Sequence, residues 1–290
     1  IIYDSFKKQK HKEVKIDNEY YYLVDTQEYI GNQIDDKHYR IIVRNNNENS
    51  ANWIVRIIRE LYLREKEDKG YFFMHGTSLE IDNKGIMLLG TSGSGKTTLA
   101  VKLLELNRMK KFLSNDRIFI DNDLKMDYFP QAVTYAMGTV KNNQKLDTYF
   151  KENRILEKRK NLIYEDAKND IDCNTPLNDV KKIFNLTEMV ARTKLNYIIY
   201  PRIDMEFNGI KVLEMSTLEK KELLEITNFT PNDTESLRKP WIRKRQIGEN
   251  EILINKRKLI NKIMKEVKIK KIKYGVNTKA EEILKCLEEE

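Results

Sequence analysis

The chain has 290 residues, 40% of them hydrophobic and 34% charged, enough apolar material for one large domain or a domain with a small appendage and too much for a disordered chain. Its net charge of +8 is uneven: fourteen Lys or Arg against three Glu between Ser236 and Tyr274 make a local +11, so the remainder stands at −3. No apolar run approaches the roughly 20 residues that span a bilayer, and the opening IIYDSFKKQKHKE lacks the apolar core and cleavage site of a secretory signal, so a cytoplasmic protein without membrane partners is expected.

In chain order, YYYLV and YRIIV read as strands, and NWIVRIIRELYLREKEDKG as an amphipathic helix that Gly70 terminates. Together they form a small α+β region over residues 1–69. From residue 70 the pattern changes, and a second domain runs to residue 290. YFFMH, TSLEI and GIMLLG are strands, a helix follows from Lys96 to about Leu106, and KKFLS, DRIFID and KMDYF continue a sheet. Residues 141–190 are highly charged and mostly helical in pattern, with EDAKNDIDCNTPLND expected as an exposed loop. LNYIIY is a strand ending at Pro201, IKVLEM is another, and STLEKKELLEI is a helix with Ser216 as its N-cap. A basic helix, the strand VKIKKIKYG and a final helix from Thr278 close the chain. Cys173 and Cys286 lie far apart among polar residues, without zinc or disulfide spacing, and are expected as free thiols.

GTSGSGKT, from Gly90 to Thr97, carries the most chemistry. It fits G-x-x-x-x-G-K-[ST], in which the backbone N–H groups of Gly90, Thr91, Ser92, Gly93, Ser94 and Gly95 cradle phosphates. Lys96 reaches the β and γ phosphates, Thr97 offers its hydroxyl to Mg²⁺, and Thr98 continues the cradle into the helix. A nucleotide with Mg²⁺ is therefore expected, ATP being the donor under the kinase reading below. Switches, motors, transporters and kinases all use such a loop, so its neighbours decide. Some 89 residues and a strand pair precede it here, and the strand after its helix ends at Asn115-Asp116, where an acidic group lies beside the phosphates.

MHG, a short strand, GIMLLGTSGSGKTT, a helix and LSND together resemble the catalytic domain of HPr kinase/phosphorylase and its relatives, over roughly Tyr71 to Tyr128. In that family a histidine–glycine pair precedes the loop and an aspartate pair follows the next strand. IIYPRID, the helix opening S-T-L-E and the terminal YG are similar to stand-alone kinases of the group, some of which phosphorylate a serine of ribosomally made peptides such as lasso-peptide precursors. The resemblance implies an α/β fold with a mixed sheet related to phosphoenolpyruvate carboxykinase. It implies Asp116 as the base that accepts the hydroxyl proton and as a metal contact, with His75 beside it. Asn115 stands where the family has aspartate, and an amide supplies no charge to a metal. That departure leaves the family's reverse phosphorolysis open, and with the family's arginine-bearing signature also missing, HPr is not expected as the acceptor.

The resulting expectation is an ATP-dependent kinase acting on a serine or other hydroxyl of a peptide or protein, with His75, Lys96 and Asp116 as catalytic residues. Three readings stand beside it: a small-molecule hydroxyl kinase, a nucleotide-binding regulator, and a phosphotransferase acting on nucleic acid, the partner the chain favours least. For the acceptor, Arg202 reads as a phosphate clamp or a surface ion-pair partner. Trp241 with Arg243 and Arg245 reads as an aromatic and cationic seat for an acidic peptide, or as a loop anchor on a solvated face. Asp116 and His75 likewise have structural readings, as a turn former and a packed strand-end histidine.

Overall fold

The computed structural model describes residues 13–16, 19–24, 29–35, 38–43, 48–129, 131–186, 192–228, 230 and 246–289. The chain forms two compact units, residues 1–70 with 231–252 and residues 71–230 with 253–290.

In the first unit β1 (Glu13–Ile16), β2 (Glu19–Val24), β3 (Tyr29–Gln33) and β4 (Tyr39–Val43) form a four-stranded sheet in sequential order, each pair antiparallel. The 21-residue helix α1 (Glu48–Asp68) follows. It stops where expected: Gly70 has φ +82°, which glycine adopts without the Cβ penalty, and its N–H donates to the Glu67 carbonyl at 2.9 Å.

The second unit is built on a mixed sheet. Its middle is parallel: β7 (Lys84–Leu89), β13 (Arg192–Asp204) and β15 (Lys268–Gly275) run the same way, β13 between the other two. Antiparallel strands extend both sides. β6 (Gly76–Ile81) pairs β7, β8 (Lys110–Asn115) pairs β6, and β14 (Ile210–Leu213) pairs β15. A second branch, β5 (Phe72–Met74), β9 (Ile118–Ile120) and β10 (Lys125–Asp127), joins the first residues of β13. β13 does not end before Pro201 as its sequence suggests. The N–H of Ile203 points toward the β7 side, where it donates to the Ser94 carbonyl at 3.1 Å, so by the two-residue period the nitrogen of Pro201 faces that side too. Pairing with β7 stops at Ile199, and the missing donor falls in a gap where the ladder needs none.

One face of the parallel core carries Leu88, Ile199, Ile272 and Tyr274 and is covered by α2 (Lys96–Leu104) and by the C-terminal helix Ala280–Glu288. A second core lies under helices Met137–Lys141, Gln144–Glu152 and Ile155–Lys160. Here the expected exposed loop is corrected. Asp172–Thr175 is a strand, β12, paired antiparallel to β11 (Val133–Ala136), and Leu177–Ile183 is a helix. Exposure alternates along β12, with Cys173 and Thr175 buried between exposed Asp172 and Asn174. The apolar side of that alternation consists of small residues, so the segment reads as polar although it is half buried. Both cysteines are free thiols, as expected, and burial pushes both thiol pKa values up. Among the described residues no helix is long and apolar enough to cross a membrane.

Candidate functional site

The segment Gly90–Gly95 joins the end of β7 to the start of α2, at the C-terminal ends of the parallel strands, the edge where open α/β sheets hold ligands. Three of its glycines have positive φ: Gly90 at +146°, Gly93 at +77° and Gly95 at +95°. Gly95 is constrained twice, because a Cβ there would stand 2.6 Å from the Tyr274 hydroxyl and 2.9 Å from Ile203 Cβ. The buried Tyr274 donates its hydroxyl proton to the Gly95 carbonyl at 2.8 Å, which ties the loop to the end of β15. With the Ile203–Ser94 bond, two strands fix the loop from one side.

Lys96 folds back over this loop and donates to the carbonyls of Gly90 and Thr91 at 2.8 and 2.9 Å. Its pKa is lowered by burial, an effect partly opposed by the negative charge of Asp116. That opposition places the carboxylate within electrostatic reach of the ammonium. Thr91, Ser92 and Gly93 are exposed and Thr97 is half-buried. The Ser94 hydroxyl oxygen is buried with no hydrogen-bond partner among the described residues. Thr98 shares a hydrogen bond of 2.8 Å with Thr139.

Asp116 follows β8 with φ +69°, a left-handed conformation uncommon outside glycine and enriched for Asn and Asp. The turn directs its carboxylate into a cluster. One oxygen, Oδ2, accepts from Arg117 and, at 3.4 Å, from the Gln131 amide. The other, Oδ1, lies 3.5 Å from His75 Nδ1, an ion-pair distance. Arg117 is buried, rests 5.6 Å from the centroid of the Phe73 ring, and also donates to Gln131 Oε1 at 3.2 Å. His75 leaves β5 with its backbone N–H on the Thr227 carbonyl at 2.9 Å, at the end of α7 (Thr217–Thr227). Asn115 is buried, and its Oδ1 accepts from the Thr77 hydroxyl at 2.7 Å, across the β6–β8 pair.

The loop, Lys96, Asp116 and His75 thus occupy one edge of the second unit. Arg202 lies there too, next to Ile203, exposed and without an ion pair among the described residues. Trp241, Arg243 and Arg245 lie outside the described residues. Arg117, Gln131 and Tyr274 were not legible as site residues. Arg117 reads as part of a strand, Gln131 as a linker, and Tyr274 shows its role only through a bond to a residue 179 positions away.

No protein-family profile matches the chain, and no curated protein matches it. Among solved structures, the HPr(Ser) kinase/phosphatase from Coxiella burnetii is similar to 49% of this chain over 77% of its own length, at 15% identity and a TM-score of 0.27. The mixed α/β architecture described above rests on the strand register and the loop geometry, not on that likeness.

Proposed function

We propose that the second unit is an ATP-dependent kinase that transfers the γ-phosphoryl group to a hydroxyl of a peptide or protein, a serine being the leading acceptor. The observation that carries this reading is the placement of the Asp116–His75 pair within electrostatic reach of Lys96 on a glycine-rich strand–loop–helix turn. A phosphate loop binds a nucleotide, while a carboxylate–imidazole pair beside its lysine adds a means to orient a hydroxyl and take its proton.

The chain's residues divide the work. The loop amides hold the β and γ phosphates, and Lys96 exchanges two carbonyl partners for anionic phosphate oxygens, which offset the burial that disfavours its charge. Asp116 orients the acceptor hydroxyl and accepts its proton, with His75 beside it. Arg117 and Gln131 hold that carboxylate in place.

For magnesium the donors fit: hard oxygens from the Thr97 hydroxyl and the Asp116 carboxylate, the small protein contribution typical of an ion held chiefly by substrate phosphates and water. Among the described residues no group of three or more His, Cys, Asp or Glu suggests a protein-only metal cage, and Asn115 spends its oxygen on Thr77. When bound, the ion supplies charge neutralisation across the β and γ oxygens.

The test is Lys96→Ala. Loss of the cation removes binding to the β and γ phosphates, so the variant, folded by circular dichroism, is expected to lose binding of a fluorescent ATP analogue and all ATP-dependent phosphate incorporation into a serine-peptide library. Unchanged nucleotide affinity in the folded variant refutes the role given to the loop.

A further inference from the structure

The two faces of the parallel core differ in a way that bears on what the site accepts. Along β13 and β15 side chains alternate, and the register sets Arg202 beside Lys273 and Ile203 beside Tyr274. Ile203 and Tyr274 point to the face covered by α2, where they meet Gly95. Arg202 and Lys273 therefore point to the opposite face. β14 extends the row, because Lys211 pairs with Lys273. Three adjacent strands thus present Arg202, Lys273 and Lys211 in line, at the end of the sheet that carries the phosphate loop.

That face is also the one α7 lies on. Lys271, two residues before Lys273, makes an ion pair of 2.7 Å with Glu219 at the start of α7, and Thr227 is the residue that ends that helix. Thr227 in turn holds the backbone of His75. The cation row and the His75–Asp116 pair therefore share the side of the sheet away from α2. Lys273 is matched by Asp204 at 2.7 Å and lies 4.7 Å from the centroid of the Phe207 ring. Arg202 and Lys211 are exposed and have no ion-pair partner among the described residues.

We infer that Arg202 and Lys211, flanking Lys273, bind an anionic group of the acceptor, so that the preferred acceptor is a hydroxyl compound carrying negative charge. The inference rests on the kinase reading above. In-line transfer puts donor and acceptor on opposite sides of the moving phosphoryl group, and the loop and α2 claim the other face for the nucleotide. Strands about 4.8 Å apart separate the outer two cations by about 10 Å, the span of three residues of an extended chain. Carboxylates three residues apart in a peptide match the row, and so does a phosphate group between the two cations.

The experiment uses the full chain and three probes: the labelled serine peptide EESEE, its neutral counterpart QQSQQ, and glucose 6-phosphate as a phosphorylated hydroxy compound. Each is titrated with and without Mg²⁺ and the ATP analogue AMP-PNP. At least one anionic probe is expected to bind, QQSQQ is not, and Arg202→Glu with Lys211→Glu is expected to raise the anionic probe's Kd at least tenfold while the AMP-PNP Kd stays constant. The milder pair Arg202→Gln and Lys211→Gln moves the same constant in the same direction and serves should charge reversal disturb folding. Whichever anionic probe responds names the source of the charge. The inference is overturned if neither anionic probe binds better than QQSQQ, or if AMP-PNP affinity falls in parallel with probe affinity, which returns the row to the nucleotide. Failure of the wild type to bind AMP-PNP sinks the kinase reading instead, and the titrations without nucleotide still decide the row.

Discussion

Asp116 combines a left-handed backbone with a carboxylate shared among three side chains. Such conformations persist where surrounding contacts over-determine them, and they concentrate at functional sites. Replacing its charge has two separable consequences. Asp116→Asn preserves the shape and an oxygen able to accept from Arg117, yet removes the ion pair of a buried guanidinium, so the melting temperature is expected to fall. On the proposed kinase reading it also removes the base, and phosphoryl transfer is expected to drop by roughly 10²-fold or more with nucleotide affinity nearly intact. His75→Ala leaves the Arg117–Asp116 pair in place, so it is expected to cost less in rate and little in stability. Single-turnover rates beside nucleotide titrations separate these outcomes, and loss of ATP binding in Asp116→Asn would assign the carboxylate to the metal. The loop and its lysine were legible because eight consecutive residues specify them. Arg117 and Gln131 were not, because their significance lies in contacts closed by a turn and by a partner fifteen residues away.

At the scale of elements, strands with two-residue alternation and helices with caps could be read directly. Ser216 does cap α7, its hydroxyl accepting from the Glu219 N–H at 3.1 Å. What failed to show was the pairing of β11 with β12, whose buried positions are small and polar, and the passage of β13 through Pro201, which depends on where a neighbouring strand stops. The loop's attachment to β13 and β15 is another long-range feature, and it separates two glycines that look alike in the motif. Gly93→Ala meets no atom within 4 Å and carries only the strain of φ +77°, about 1–2 kcal/mol. Gly95→Ala adds overpacking against Tyr274 and Ile203, for a total of roughly 2–5 kcal/mol. Denaturant melts are expected to rank Gly95→Ala well below Gly93→Ala, and equal losses would mean that the contact with β15 does not constrain the loop.

At the scale of the molecule, the chain completes most of the second unit, contributes residues 231–252 to the first, and then returns. The basic run that appears as one feature in the sequence is therefore divided between the two units. Trp53 belongs to the first unit, whereas the phosphate loop, Asp116 and His75 all belong to the second. A ligand that binds only the folded second unit stabilises that unit by mass action, about 2.7 kcal/mol at a concentration of 100 times Kd, which corresponds to roughly 5–10 °C for a unit of this size. AMP-PNP with Mg²⁺ is therefore expected to raise the transition followed by far-ultraviolet circular dichroism, which reports chiefly the second unit, and, in a Trp241→Phe variant whose emission comes from Trp53 alone, to leave the fluorescence transition where it was. Lys96→Ala is expected to abolish the shift without moving the ligand-free midpoints by a comparable amount. A nucleotide-induced shift of equal size in both signals would show that the two units unfold as one cooperative body, and a shift confined to fluorescence would place the nucleotide in the first unit.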